Sequence, residues 1–403
     1  MNAKKLILGI QLVLALFGAT VLVPFLTGIN PSLALLAAGL GTLIFHLVSK
    51  RIVPVFLGSS FAFIGALTLV LKQDGIGAVK GGVICAGFVY VFMSIIIKVF
   101  GVEKVKSFFP PIITGPIIMV IGLRMSPVAL SMSGYSDGKF EVKSLIIALS
   151  VLVTMIVVSI LGKSFFKLVP ILISVIVGYL VSMCFGIIDF TPIHAANWIG
   201  FSKEALSDLT AVPVFRLSSV IAIAPIAFVV FIEHIGDITT NGAVVGKDFF
   251  KNPGIHRTML GDGLATIAAG LIGGPANTTY GENTGVLAVT KVYDPSILRI
   301  AACYSIFLSI MGKFGAVLQT VPQPVMGGVS IILFGMIASI GVRTLIDANL
   351  DFGHSRNLIL SSLILVLGIS IDNIVIWNTV SVSGLAVSAL FGVILNKLLP
   401  SDI

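Results

Sequence analysis

Residues Gly273–Val286 read GGPANTTYGENTGV, a polar run set between apolar stretches. One glutamate, two asparagines, three threonines and four glycines fall within these fourteen positions. Backbone that leaves a helix inside lipid loses several kcal/mol for each unmet amide or carbonyl, so it survives only where protein surrounds it or where it lines a cavity. A second, shorter interruption, LGSSFAF at Leu57–Phe63, lies a little over half the chain upstream. Two broken segments at matching places in two halves are the signature of a transporter built from inverted repeats, with substrate held near the midplane.

The rest of the chain supplies the membrane setting. Over 403 residues the apolar share is 57% and the charged share only 10%, whereas about a quarter of a soluble domain is charged. Apolar stretches long enough to cross about 30 Å of hydrocarbon as helix recur from end to end. Fourteen segments are expected. Eleven begin near Leu6, Ser32, Val83, Pro110, Leu145, Leu168, Ser218, Ile297, Val325, Leu358 and Val380, and three shorter or interrupted ones near Pro54, Thr258 and Tyr280. An even number puts both termini on one side. With that side cytoplasmic, the inner joints hold Lys50, Arg51, Lys98, Lys163, Lys247, Arg257, Arg299 and Arg343 among others, most of the 25 Lys and Arg, as the positive-inside rule requires. The +8 net charge therefore reports orientation in a membrane, and no basic patch with interleaved aromatics points to nucleic acid.

Lys4 and Lys5 precede an apolar run that continues to about Leu26 without a small-residue cleavage site, so the run reads as a first spanning helix rather than a signal peptide. Cys85, Cys184 and Cys303 have neither pairing nor metal-ligand spacing. No G-x-x-x-x-G-K-[ST] loop is present, which argues against nucleotide-driven transport within this chain. The longest hydrophilic insert, about Asp189 to Arg216, is expected as an external loop. Neither a metal nor a cofactor is expected.

Among polar residues at membrane depth, Glu233 in AFVVFIEHIGD is the first candidate, because a buried carboxylate is costly and usually functional. The bland alternative is a helix end in water, with His234 and Asp237 simply solvated. Asp237 follows at i+4 and shares its face, and two close carboxylates resist double ionisation, which suits a proton carrier. Glu282 sits just after the Thr-Tyr-Gly break, where the freed amides of a starting half-helix would face a carbonyl or anion. Asp262 is read as a cap or ion-pair partner near a helix start, five residues past Arg257. Arg124, Lys313 and Asp372 are read as snorkelling residues at outer ends, and His46 as structural.

At these positions the chain resembles the nucleobase–cation symporter-2 family, also called the nucleobase/ascorbate transporters, in its bacterial uracil permease branch. The resemblance rests on FGATVLVP at Phe17–Pro24, LGSSFAFI at Leu57–Ile64, EHIG at Glu233–Gly236, NTTYGEN at Asn277–Asn283 and PVMGGVS at Pro324–Ser330. It implies an all-α polytopic membrane protein of 14 transmembrane segments as two inverted repeats of seven, with short antiparallel strands in segments 3 and 10. It further implies a core domain of about 6–100 and 218–318 and a gate domain of about 106–190 and 322–400.

By the same resemblance, Glu233 and Glu282 would bind the base through its N–H groups, and the backbone amides of Phe61 and Gly281 would meet its carbonyls. A planar dione presents both kinds of group, so acceptors and donors complement it. Phe61, Tyr280, Ala19 and Phe334 would wall the site, and Asp237, Glu233 and Glu282 would carry proton coupling. The implied function is proton-coupled import of uracil across the cytoplasmic membrane by alternating access, by a homodimer in lipid with both termini cytoplasmic. A xanthine or other oxopurine permease is the alternative, disfavoured because purine-transporting relatives tend to have glutamine where Glu282 stands. An intramembrane hydrolase would need a nucleophile or metal triad that the sequence lacks, and a passive channel would not concentrate substrate. Two positions depart from the family: Leu12 follows Gln11 where many relatives have histidine, and Asp237 stands where uracil permeases often have histidine.

Overall fold

The computed structural model describes residues 3–101, 103–104, 107–163, 166–377 and 380–400. Helix α1 (Ala3–Thr27) and α2 (Pro31–Val48) precede strand β1 (Leu57–Ser59), a 3₁₀ turn (Phe61–Phe63) and the long α3 (Ile64–Phe100). Next come α4 (Pro111–Arg124), α5 (Ser126–Met132), the strands β2 (Tyr135–Ser136) and β3 (Lys139–Phe140), α6 (Val142–Leu161) and α7 (Pro170–Cys184). Short helices α8 (Thr191–Ala195) and α9 (Lys203–Thr210) lead to α10 (Leu217–Ile223), α11 (Ile226–Val245) and α12 (Ile255–Ile272). Strand β4 (Asn277–Thr279) then runs into α13 (Gly281–Thr290), followed by α14 (Pro295–Ile310), α15 (Gly312–Gln319) and α16 (Gln323–Asp347). The chain closes with α17 (Ser355–Ser370), β5 (Asn373–Trp377), β6 (Val380–Ser383) and α18 (Gly384–Leu398).

Seven of the described helical runs are long and apolar enough to cross a bilayer, and the bent pair α14–α15, with an 80° break, adds an eighth if it is one span. The difference from fourteen segments has a local cause. The segments near Pro54 and Val83 join into one 40-residue helical stretch that turns sharply at Gly75, whose φ of 78° suits a residue without a Cβ. Others, such as α7, α13, α17 and α18, are short.

Helices pack in two neighbourhoods. In one, α12 lies against α3 and α2, α14 against α2 and α1, and α10 against α3; in the other, α16 lies against α4, α5 and α6, α17 against α4 and α18, and α6 against α7. At the N-terminal ends of α1 and α14, Asp294 accepts from the Ser296 amide at 2.9 Å and pairs with Lys5 at 2.6 Å. The Lys5 ammonium, with the helix-start amide, holds the Asp294 carboxyl down at about 2.

The insert at 189–216 is not a loose loop. Buried Lys80 of α3 gives its ammonium to the carbonyls of Asp208 and Leu209, each at 2.9 Å, and Ala211 at 2.7 Å, at the C-terminal end of α9. Three donors thus meet three acceptors at the negative end of a helix dipole. Beside it, Arg216 pairs with Asp74, which also accepts from Ser219 at 3.0 Å.

Helices α3 and α12 meet in close contact. A Cβ on Gly87 would lie 2.8 Å from the Gly263 carbonyl oxygen, and a Cβ on Gly263 would lie 3.0 Å from that of Gly87. Small residues let helix backbones approach in this way. Gly87→Ala should therefore lower stability by about 1–3 kcal/mol through overpacking against backbone that cannot yield. Gly236→Ala, on a helix face with nothing within 4 Å of the added methyl, should leave stability unchanged or raise it by up to about 1 kcal/mol. Thermal unfolding in detergent compares the two, and equal effects would sink this account of the α3–α12 contact.

Candidate functional site

The two breaks in helical structure meet. Strands β1 and β4 pair antiparallel with Leu57 opposite Thr279, Gly58 opposite Thr278 and Ser59 opposite Asn277, and Ser60 N–H extends the pairing to Ala276 O at 2.9 Å. All these residues are buried. Groups that a two-stranded ribbon leaves unpaired are taken up by side chains. Thr42 Oγ1 accepts from Leu57 N–H at 2.9 Å, Thr266 donates to Asn277 O at 3.1 Å, and Asn277 Nδ2 donates to Ala37 O at 3.0 Å. Asn283 and Asn241 both donate to Pro54 O, at 2.9 and 3.2 Å. His46 Nε2 lies 2.9 Å from Val55 O, a structural role as expected. Much of the polar character of Gly273–Val286 therefore stabilises unwound backbone.

Each strand runs straight into the start of a helix. Phe61 opens the 3₁₀ turn that leads into α3, and Gly281 is the first residue of α13. The residues before them, Ser60 and Tyr280, make no side-chain cap. The first amides of a helix have no partner within it, so two sets of donors converge at one place inside the protein.

The aromatic walls assemble around these starts. The rings of Phe61 and Tyr280 lie 6.4 Å apart and within 10° of parallel, and Phe334 of α16 meets Phe61 edge-on at 6.2 Å. Tyr280 is pinned by its hydroxyl, which donates to Ser59 O at 3.0 Å. Gly58 leaves room for the ring, since a Cβ there would lie 2.2 Å from it. Phe61 and Gly65 also line a cavity of about 430 Å³ whose other wall includes Arg124, Val128, Ile226 and Asp372.

Helix α11 packs against β4 and the Phe61 turn and carries Glu233 and Asp237, both half-buried. Asp237 Oδ2 accepts from Thr279 Oγ1 at 2.9 Å, and its Oδ1 lies 3.3 Å from the position a Cβ on Gly281 would take. It thus stands over the first residue of α13, where a helix dipole favours negative charge. Glu233 lies within electrostatic range of Tyr90 of α3. The side chains of Ala19 and Glu282 lie outside the described residues, although their backbones belong to α1 and α13. Leu12, where relatives carry histidine, is buried among apolar residues.

Two sequence readings change, those of Asp262 and Arg124, and the alternative of a solvated His234 falls. Asp262 is fully buried in the middle of α12, so it caps nothing, and its partner is His234 at 2.8 Å rather than Arg257. His234 is itself fully buried rather than solvated. Arg124 does not snorkel freely: its side chain is 14% exposed and it holds the Asp372 carbonyl and, at 3.5 Å, its carboxylate. Sequence reasoning also missed Thr279 and Tyr90; the one available signal was a hydroxyl-rich run at membrane depth.

Comparison with known proteins agrees with this arrangement. The chain is 44% identical over 395 residues to the uracil permease of Bacillus caldolyticus, covering 98% of this chain and 91% of that one. It is 42% identical to that of Bacillus subtilis strain 168, with 97% and 92% covered, and 40% identical to that of Escherichia coli K12, with 96% and 89% covered. Among solved structures, the transmembrane domain of the cyanobacterial bicarbonate transporter BicA has the same fold at a TM-score of 0.65 and 15% identity, covering 98% of this chain and 97% of that one. SLC26A9 superposes at a TM-score of 0.68 and 11% identity, covering 98% and 66%. Residues 3–375 match the family Xan_ur_permease, described as a permease family. The multi-pass helices, the paired half-helix starts and this full-length likeness together make the chain a member of the nucleobase–cation symporter-2 permease family, a transporter and not an enzyme.

Proposed function

We propose that the protein imports uracil together with protons across the cytoplasmic membrane by alternating access. The observation that carries this reading is the meeting of two helix starts, at Phe61 and Gly281, across the β1–β4 pair, neither capped by the side chain of the residue before it. Amide donors converging there suit the carbonyl oxygens of a pyrimidine dione, and the relatives named as uracil permeases narrow the base to uracil. Glu233 and Glu282 accept the base N–H groups in this reading, while Phe61, Tyr280, Phe334 and Ala19 form the walls. Asp237, one turn from Glu233, joins the two glutamates in proton coupling.

The fourteen segments of two inverted sevens are then α1, α2, β1 with the first part of α3, the part of α3 beyond Gly75, α4 with α5, α6, α7, α10 with α11, α12, β4 with α13, α14 with α15, α16, α17 and α18. Segments 1–4 and 8–11 form the core and the others the gate, in a homodimer with both termini cytoplasmic. The split follows the two packing neighbourhoods, and Phe334, on α16, is the gate's contribution to the site.

Uptake of labelled uracil into proteoliposomes, with and without an inward proton gradient and with xanthine as competitor, tests the reading. Accumulation that ignores the gradient, or that xanthine suppresses and uracil does not, would overturn it. Two variants sharpen the assignment of residues. Glu233→Ala leaves buried substrate N–H groups unpaired at about 1–3 kcal/mol each, so uracil should bind about 10- to 100-fold more weakly; unchanged affinity in a binding titration would remove Glu233 from the site. At Phe61 the backbone amide is the ligand, so Phe61→Tyr should keep far more binding than Phe61→Pro, which deletes that donor. Equal losses would assign the contact to the ring.

A further inference from the structure

We infer that the coupled proton is held by the His234–Asp262 pair, behind the substrate site, and not only by the carboxylates that face it. This rests on the proton-coupled reading above and names where its proton sits. His234, Asp262 and Thr258 are all 0% exposed. His234 Nδ1 lies 2.8 Å from Asp262 Oδ2, and Nε2 lies 2.9 Å from Thr258 Oγ1. The Thr258 hydroxyl also lies 2.9 Å from Ile255 O, and when it donates there Nε2 is the donor to Thr258. A 2.8 Å contact between Nδ1 and Oδ2 then requires a proton between them. Imidazolium with carboxylate, or imidazole with carboxylic acid, satisfies it; both have zero net charge and share one exchangeable proton.

Losing one proton leaves a neutral imidazole beside a buried carboxylate. The net charge becomes −1 in a place without water, a costly state unless neighbouring groups rearrange. Two further observations point to the same spot. Asp262 Oδ1 and the fully buried Tyr90 hydroxyl have no hydrogen-bond partner among the described residues, and Tyr90 lies within electrostatic range of both Asp262 and Glu233.

The pair is wired to the substrate site. Glu233 is the residue before His234, and the Thr279 amide faces the Asp262 carboxylate while its hydroxyl donates to Asp237. The groups around the pair are Tyr90 from α3, Glu233 and Asp237 from α11, and Thr279 from β4. From α2, His46 is engaged with Val55 O. Thr258 leads toward the first turn of α12, where Arg257, Lys98 and Lys50 gather about His256. In the proposed cycle one proton binds the unloaded pair as uracil binds, and one proton leaves from Nε2 past Thr258 to the cytoplasm while Nδ1–H stays on Asp262 Oδ2; the Thr258 hydroxyl turns from Ile255 O to donate to the bared Nε2.

The test uses His234→Gln, Asp262→Asn and the double variant, which leaves no uncompensated charge and so threatens folding least. Wild type and variants are reconstituted in proteoliposomes, and two quantities are read: exchange of labelled for unlabelled uracil at equal pH, and accumulation under a proton gradient. With one proton per uracil, a gradient of about one pH unit drives about tenfold accumulation in wild type. The variants should keep exchange while their accumulation ratio falls to about one. A double variant that accumulates like wild type overturns the inference. So does a folded double variant that loses exchange and accumulation together, or failure of all three to fold, since the pair would then serve substrate binding or the α11–α12 contact alone. If wild type itself ignores the gradient, the proton-coupled reading falls, a result distinct from any of these.

Discussion

Backbone that leaves a helix in the interior of an apolar protein has to find its hydrogen bonds elsewhere, and here Leu57–Ser60 finds them in Ala276–Thr279. Unpaired, these groups would cost several kcal/mol each in lipid. Three residues a side cannot satisfy a ribbon on both edges, so Thr42, Thr266, Asn241 and Asn283 close remaining groups from neighbouring helices, and Asn277 of β4 ties the ribbon to Ala37 O of α2. Substitution at any of them exposes an orphan carbonyl or amide in the same small volume. The substrate site is thus built on a feature that is stable only as a whole.

Close helix packing supports that feature from behind. Gly87 and Gly263 bring α3 and α12 to backbone contact, which fixes the helix that follows β1 against the helix that precedes β4. On the far side, Lys80 clamps the end of α9 to α3, and Arg216 closes on Asp74 beside the Gly75 bend. A buried ammonium with all three donors used is inexpensive to keep and costly to disturb. The 189–216 insert is therefore fastened to the neighbourhood of helices that carries both strands.

The walls of the site come from both neighbourhoods. Phe61 and Tyr280 belong to the strand-bearing group, whereas Phe334 lies on α16, which packs with α4, α5 and α6. Any displacement of α16 past the strand pair changes the edge-on contact at Phe61 while the Tyr280–Ser59 hydrogen bond, internal to one group, persists.

Composition and hydropathy by themselves determined that the chain lives in a membrane, because an apolar share of 57% with 10% charge admits no other solvent. The polar run Gly273–Val286 and its counterpart at Leu57–Phe63 were visible as breaks, since glycine and hydroxyl residues interrupt an apolar pattern wherever they fall. Motif resemblance added the family and the roles proposed for Phe61, Tyr280 and Glu233. What residue order could not give was pairing between distant positions. Local pattern treats Asp262 as a helix-start residue near Arg257, and only the packing of α11 on α12 puts it 2.8 Å from His234. Asn277 and Asn283 stand out in sequence only as polar residues of the break, and the tertiary structure spends both amides on backbone carbonyls. The physical reason is the same in each case: a polar group in a water-poor interior is defined by its partner, and the partner is chosen by how helices pack, not by the residues beside it in the chain.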